Sequence, residues 1–175
     1  MDRQLLIKGL QRQGERVFGD TEVVTRVGDG YERCTSADLV RRVCPLVGAL
    51  RGLRVGSGDR VLTPAWNSQR HLEAYSAVPG MGAVLHTGNQ RLSPAQLAYT
   101  TNHARDGVVL VDPDLVPLLE TIAIELTSVR EVVVLGPVPE GAMLRDVHAC
   151  EDLLAAADLV PELPEFGEDT PAGTC

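Results

Sequence analysis

Between residues 60 and 135, short apolar runs alternate with segments whose apolar residues recur at helical spacing. This alternation predicts strands and helices in turn, with strands at 60–66, 84–87, 108–112 and 131–135 and helices at 68–83, 94–104 and 115–126. Strands that alternate with helices of about a dozen residues form parallel sheets, because each helix carries the chain back across the sheet. The predicted fold class is α/β, with an incomplete doubly wound, mostly parallel sheet and flanking helices.

Towards the N-terminus the pattern changes twice. Residues 22–35 alternate apolar and polar side chains around Gly28-Asp29-Gly30, which is typical of a β-hairpin with Asp29 in the turn. From Ser36 the apolar residues return at helical spacing, and Ser36 is the predicted N-cap of this helix. The sheet is therefore expected to follow an N-terminal β-hairpin and a helix.

A helix-start signal supports one of these assignments, and two prolines conflict with others. The helix at residue 94 has the clearest start, since Ser93 can cap it, Pro94 suits its first turn and Gln96 completes a capping box. Pro45 lies inside the preceding predicted helix, where we expect it to cost about 3 kcal/mol. Pro64 falls within the first predicted strand of the sheet, where it removes a ladder hydrogen bond.

Charge limits the partners of the chain. It carries 16 Lys and Arg against 24 Asp and Glu, a net charge of -8 at pH 7. The basic residues are spread along the sequence, so we expect neither nucleic acid nor an anionic membrane surface to bind. No apolar run reaches the roughly 18 residues of a membrane-spanning helix, and the apolar N-terminal stretch is too interrupted for a signal peptide. We predict a cytoplasmic protein with no integral membrane segment.

The end of the sequence differs in composition from the rest. From Asp158 onward it reads DLVPELPEFGEDTPAGTC, which is rich in proline and acidic residues and has little apolar periodicity. Such segments usually connect domains. We therefore predict a subdomain at 1–157 and an acidic, proline-rich linker at 158–175.

The glycine pairs do not predict a phosphate-binding loop. Gly56 and Gly58 follow a helix and precede a strand, whereas phosphate loops follow a strand and open a helix. A helix-ending turn is the favoured interpretation. Gly80 and Gly82 lie towards the end of a predicted helix, next to Pro79, and are better explained by close packing.

No set of polar side chains predicts a catalytic centre. The four histidines show no metal-binding spacing; they are His71, His86, His103 and His148. Asp112 and Asp114 flank Pro113 at a strand end, where a cap-and-turn role is favoured over acid/base chemistry. No C-x-x-C pair occurs, and Cys34 and Cys44 are interpreted as buried apolar residues. We predict no catalytic, cofactor-binding or metal-binding residue.

Residues 59–112 nevertheless carry a specific set of motifs. In order they are Ala65-Trp66-Asn67-Ser68, Arg70-His71-Leu72-Glu73, Val78-Pro79-Gly80-Met81-Gly82-Ala83-Val84-Leu85-His86-Thr87 and Arg91-Leu92-Ser93-Pro94. In this order and spacing the segment closely resembles the front of the large domain of AMP-forming acyl-CoA synthetases, particularly the medium- and long-chain fatty acid ligases. A looser resemblance extends from Phe18-Gly19-Asp20 to Pro164-Glu165-Phe166 and so covers nearly the whole chain.

The resemblance implies an ATP-dependent acid–thiol ligase that uses magnesium, converts a fatty acid into an acyl-adenylate and transfers the acyl group to coenzyme A. In that family, a segment like GEDTPAGTC runs directly into the Ser/Thr/Gly-rich loop that holds the ATP phosphates. The sequence ends at Cys175 before such a loop. The resemblance thus implies a truncated fragment that binds no cofactor and catalyses nothing alone, with fatty acid and coenzyme A as partners only if the missing parts are supplied. The alternative is a non-catalytic interaction module that pairs with itself or with an intact ligase.

Overall fold

The computed structural model describes residues 4–175. The helices in this range are α1 (Ile7–Val17), α2 (Ser36–Gly52), α3 (Gln69–Gly80), α4 (Pro94–Ala104), α5 (Val116–Ile122) and α6 (Cys150–Ala156). The strands are β1 (Glu22–Val27), β2 (Gly30–Thr35), β3 (Arg60–Thr63), β4 (Val84–Thr87), β5 (Val108–Val111), β6 (Glu131–Val134), β7 (Val147–Ala149) and β8 (Gly173–Thr174). Short 3-10 turns flank α5 at Pro113–Leu115 and Ala123–Glu125.

Strands β3 to β8 form one six-stranded sheet in the order β7-β6-β5-β3-β4-β8, and every neighbouring pair is parallel. The chain passes from β3 to β4 on one side and then crosses back to β5 on the other side of β3. This reversal places a topological switch point between β3 and β5. The predicted α/β class with a doubly wound parallel sheet is confirmed.

The N-terminal hairpin is also confirmed. β1 and β2 pair in antiparallel register around a two-residue turn at Gly28 and Asp29. Gly28 has a φ of 56°, the left-handed conformation that such turns require and that glycine adopts without strain. Thr25 links the hairpin to the sheet domain, because its hydroxyl accepts a hydrogen bond of 2.9 Å from the backbone N–H of Gln69.

Helix α2 begins one residue earlier than its predicted cap. Thr35, and not Ser36, is the N-cap: its hydroxyl accepts a hydrogen bond of 3.1 Å from the N–H of Asp38. The carboxylate of Asp38 accepts in return from the N–H of Thr35 at 2.9 Å, which completes a capping box. The cap at Ser36 was therefore a wrong prediction, since the acidic residue three positions after Thr35 decides the start. Pro45 lies inside α2, as predicted.

The elements of the sheet match their predicted positions closely, with one informative difference. β4 and α4 have the predicted bounds, and Ser93 and Gln96 form the predicted capping box. β3 ends at Thr63, so Pro64 lies just outside the strand and removes no ladder hydrogen bond. The prediction of Pro64 inside an interior strand was wrong because proline itself ends the strand.

The sheet is covered on both faces. Val108 and Leu110 of β5 belong to a core formed with α2 and α3, whereas Val109 and Val111 belong to a second core formed with α4 and α5. Side chains of a strand alternate between the two faces of its sheet, so an all-apolar strand requires cover on both. β5 is fully buried, as its sequence predicts.

The segment after residue 157 packs against the sheet domain. Val160 and Leu163 are 7% and 5% exposed and belong to the same core as α2 and α3. β8 adds a short parallel strand beside β4. The proline-rich composition predicts a linker, but two apolar side chains and one strand hold this segment in place; the domain boundary at residue 157 stays a prediction.

Helices α1 and α6 were not predicted from the sequence, and ion pairs hold both of them. In α1, Lys8 pairs with Glu162 and Glu165 at 2.9 and 2.7 Å. α6 is joined to α2 and α3 by a four-residue cluster in which both carboxylates contact both guanidinium groups; its members are Arg42, Arg70, Glu73 and Glu151. Within residues 4–175, no helix has the length and apolarity needed to cross a bilayer.

Candidate functional site at the carboxyl ends of the strands

In doubly wound sheets, ligands bind at the carboxyl ends of the strands, at the switch point. Here that point lies between the end of β3 at Thr63 and the end of β5 at Val111. Trp66 lies three residues after the end of β3, Asp112 directly follows β5, and the two residues are joined by a hydrogen bond. His71, on the first turns of α3, completes the group. The candidate site is therefore built from residues far apart in the sequence.

His71 is held by contacts to both of its ring nitrogens. Nδ1 lies 3.1 Å from the backbone oxygen of Trp66, and Nε2 lies 3.1 Å from the hydroxyl of Thr63. Burial lowers the pKa of His71, which favours the neutral ring. A carbonyl oxygen only accepts, so Nδ1 carries the proton and Nε2 accepts from the Thr63 hydroxyl. The imidazole thus holds the segment from Thr63 to Trp66, which follows β3, in place.

Two carboxylates hold Trp66. Its backbone N–H donates to Asp112 at 2.6 Å, and its indole Nε1–H donates to Asp114 at 2.8 Å. Burial raises the pKa of Asp112, while the hydrogen bond from Trp66 lowers it. The turn that we predicted is present in the backbone, since the N–H of Leu115 donates to the carbonyl of Asp112. Neither side chain caps the following helical turn, however; both bind Trp66 instead.

At the switch point, the loops that follow the strands make close contacts at Gly88 and Gly136. A Cβ on Gly88 would lie 3.1 Å from Leu62 and 3.3 Å from the backbone of Pro64. A Cβ on Gly136, after β6, would lie 2.8 Å from the ring of Pro113. The loop after β4 therefore packs directly on the loop after β3, and the loop after β6 packs on the loop after β5, where Gly136 leaves no room for a side chain.

An open cleft of about 250 Å³ lies between the hairpin and α3. Asn67, His71 and Tyr75 line it together with β1. At the same edge the Trp66 side chain is 44% exposed. The exposed groups here are the aromatic ring of Trp66 and the amide of Asn67. The imidazole of His71 and the carboxylate of Asp112 are already engaged in contacts within the protein.

The other residues considered from the sequence lie away from this site. Gly58 has a φ of 79° in the turn between α2 and β3, in agreement with a helix-ending turn. Gly80 and Gly82 pack closely, as predicted: a Cβ would lie 2.9 Å from Leu163 and 3.0 Å from Ser57, respectively. Within the described part of the chain, no group of three or more histidine, cysteine or acidic residues is arranged to hold a metal ion.

The cysteines and histidines differ in part from their predicted environments. Cys34 and Cys44 are half-buried, so their assignment as buried residues was only partly right, whereas Cys150 is buried. Burial raises the pKa of the Cys150 thiol to about 11. His86 contacts buried Asp106 at 2.7 Å. In the sequence, Trp66 stands out only as part of a motif, and His71 only as part of a motif and as one of four histidines without metal-binding spacing. The switch-point rule, applied to the predicted strand ends, selects the region of both residues.

Comparison with known proteins identifies the class. A sequence model of the AMP-binding enzyme family matches residues 10–172. The chain is 46% identical over 176 residues to a long-chain-fatty-acid–CoA ligase of Thermus thermophilus, covering 99% of this chain and 32% of that protein. It is 34% identical over 178 residues to a medium-chain-fatty-acid–CoA ligase of Ectopseudomonas oleovorans, covering 100% of this chain and 33% of that protein. The chain belongs to the AMP-binding, adenylate-forming enzyme family.

Solved structures support the fold. The coronafacic acid ligase of Pectobacterium brasiliense superposes with a TM-score of 0.84 at 14% identity, over 97% of this chain and 33% of that one. The anthranilate CoA ligase AuaEII superposes with a TM-score of 0.81 at 17% identity, over 99% of this chain and 31% of that one. The chain thus spans about a third of the length of these relatives and corresponds to an N-terminal portion of such an enzyme.

Proposed function

We propose that these residues form the sheet that supports the active site of a fatty acid–CoA ligase and that they do not catalyse alone. Such a ligase activates a fatty acid with ATP to an acyl-adenylate and then transfers the acyl group to coenzyme A. The support for this substrate class is the 46% identity to a long-chain ligase along 99% of the chain. The acyl-chain length is not part of the proposal.

One structural observation carries the scaffold role. The polar groups at the switch point bind protein: His71 contacts Thr63 and Trp66, and Asp112 and Asp114 each bind Trp66. A side chain that fixes backbone in this way positions a site but does not react in it. Asp112 and Asp114 are also a poor fit to magnesium, which keeps several water ligands and binds one or two free carboxylates, because both aspartates are engaged with Trp66.

In this proposal the remaining two thirds of the enzyme supply the ATP phosphate-binding loop and the groups that act on the carboxylate and on coenzyme A. The present residues supply the packed strand ends on which those parts rest. Asn67 and the exposed face of Trp66 are the side chains best placed to touch them.

The test is an assay of the 175-residue chain for AMP formation with a fatty acid, ATP, magnesium and coenzyme A. The Thermus thermophilus ligase serves as the positive control. We expect no fatty-acid-dependent AMP above the blank, because the transition state needs preorganised charge around the phosphates. Steady turnover that scales with purified chain would overturn the non-catalytic role.

The second candidate is an interaction module, and one cavity favours it. A groove of about 830 Å³ lies between α1 and residues 166–172, lined by apolar side chains that include Leu5, Leu10 and Phe166. Leu5 is 77% exposed and Leu10 is 66% exposed. Apolar surface of this kind is covered when a protein associates. Size-exclusion chromatography with light scattering distinguishes the candidates, since a defined dimer supports the module and a monomer argues against self-association.

A further inference from the structure

The groove between α1 and residues 166–172 has one wall that is formed by a single face of the helix. Leu10, Gln13 and Val17 follow one another at spacings of three and four residues, which places them on the same side of α1. Leu5 and Leu6, just before the helix, continue this wall. We call the whole surface the α1 groove, and its helical wall is mainly apolar.

Helix α1 leaves this apolar face uncovered. None of its residues is buried, and Val17 is 66% exposed, as much as Leu10. Polar contacts hold the helix instead: Lys8 forms the ion pairs described above, and the Gln11 side chain donates to the carbonyl of Ser76 on α3 at 3.1 Å. Short helices in proteins are stabilised mainly by the packing of an apolar face. The described residues do not supply that packing to α1.

The opposite wall of the α1 groove is formed by residues close to the end of the chain. Phe166, Thr170 and Ala172 line it, and β8 follows directly. β8 is an outer strand: it pairs with β4, and among residues 4–175 no strand pairs with its other side. An outer strand of this kind can accept a further chain segment. The groove therefore lies next to a second surface that is open to association.

Charges of both signs accompany the apolar side chains of the groove. Arg12 and Arg16 line it from α1, and Glu168 lines it from the opposite wall. Arg12 pairs with Glu162, and Glu168 accepts the backbone N–H of Leu5 at 2.8 Å. Apolar surface with mixed charge at its border is typical of contacts between polypeptides. A small anion or a nucleic acid would meet Glu168 as well as the arginines.

The comparisons indicate which polypeptide covers the groove. The chain corresponds to an N-terminal portion of an adenylate-forming enzyme and covers 32% of the Thermus thermophilus ligase. About two thirds of that relative therefore follows the matched part, starting where β8 lies in this chain. A segment that is joined covalently beside a surface has a high effective concentration there, which a separate partner lacks.

We propose that the α1 groove is the surface on which the following two thirds of the ligase packs. The covering segment contacts Leu10 and Val17 on one wall and Phe166 on the other. This inference rests on the proposed function, because it takes the chain as part of a fatty acid–CoA ligase. It adds a second contact surface, at α1, to the strand ends at the switch point.

The experiment compares the rate at which a maleimide modifies V17C in two proteins. One is the isolated chain, and the other is a chimera that carries residues 1–175 in place of the matching third of the Thermus thermophilus ligase. Peptide mass spectrometry separates this site from the four native cysteines. We expect modification in the chimera to be at least about tenfold slower, because a covered thiol reacts only after local opening.

The matched control is I124C. Ile124 is 95% exposed and lies after α5, outside the α1 groove. It should be modified at the same rate in both proteins, which shows that the chimera does not slow the reaction in general. If V17C disturbs the fold, L10C in the same wall replaces it, and circular dichroism establishes that each protein is folded.

The outcomes separate this inference from the proposed function. Equal rates for V17C in the two proteins, in a chimera that forms AMP, overturn the groove assignment and leave the proposed function intact. A folded chimera that forms no AMP but protects V17C contradicts the proposed function and supports the packing surface. A chimera that does not fold overturns the groove assignment, since the two parts then do not pack together. Protection in the isolated chain that increases with its concentration overturns it in favour of a second copy.

Discussion

At the residue scale, His71 couples the switch point to pH. Burial lowers its pKa in the folded chain, so the folded state favours the neutral ring. The stabilisation is present above the unfolded pKa of about 6.5 and is lost as the pH falls through the lowered folded value. We predict that the free energy of unfolding in urea decreases as the pH falls below about 6.5, and that H71N, whose amide can still donate to Trp66, reduces this slope.

The exposed His103 provides the control for that measurement. H103N removes one histidine without touching the switch point, so the effect of His71 is read as the difference in slope between H71N and H103N. Identical slopes for H71N and the parent chain would show that burial of His71 has no energetic consequence.

Asp112 gives a second prediction at this scale. Its carboxylate accepts the backbone N–H of Trp66, but burial raises its pKa, so the charge itself is unfavourable there. D112A leaves a partly buried N–H without a partner and should cost about 1–3 kcal/mol in the free energy of unfolding. D112N keeps an acceptor without the charge and should cost clearly less. Urea denaturation at pH 7 measures both, and equal losses would contradict this account of the site.

At the scale of elements, agreement between sequence and structure depends on how local the signal is. The start of α4 follows from Ser93, Pro94 and Gln96, which lie within four residues of each other. The hydrogen bond between Trp66 and Asp112 joins residues that lie 46 positions apart. The residues next to either one in the sequence therefore do not indicate the other as its partner. The fold was therefore largely predictable, whereas the composition of the switch point required the sheet order.

The packing of the segment after residue 157 was also not predictable from a local sequence pattern. Only two of its side chains, Val160 and Leu163, enter the core, which is too few for a periodic pattern. We predict that L163A costs about 2–4 kcal/mol in the free energy of unfolding, since it leaves a cavity beside Gly80. L159A is the matched control: Leu159 is 90% exposed, and its loss should change stability by less than about 0.5 kcal/mol. Equal, small effects would indicate a free linker.

Pro45 provides an independent test of an element. It lies in the interior of α2, where it removes the hydrogen bond to the carbonyl four residues earlier. P45A should therefore raise the free energy of unfolding, by up to about 3 kcal/mol, and raise the midpoint in urea. A loss of stability instead would mean that the proline ring's packing outweighs the missing bond.

At the scale of the whole molecule, the two edges of the sheet have different properties. The carboxyl edge is tightly packed and carries Trp66 and Asn67 beside a small cleft. The amino-terminal edge carries Arg60 and Arg130, and neither forms an ion pair within residues 4–175. In the proposed enzyme, the carboxyl edge supports the active site.

We predict that this chain supplies the supporting sheet of a fatty acid–CoA ligase. The most direct test replaces the matching third of the Thermus thermophilus ligase with residues 1–175 and measures fatty-acid-dependent AMP formation. The same ligase without that third is the negative control. We predict activity within about tenfold of the parent enzyme, a difference of about 1.4 kcal/mol in barrier height. A folded chimera with no more activity than the negative control would contradict the claim.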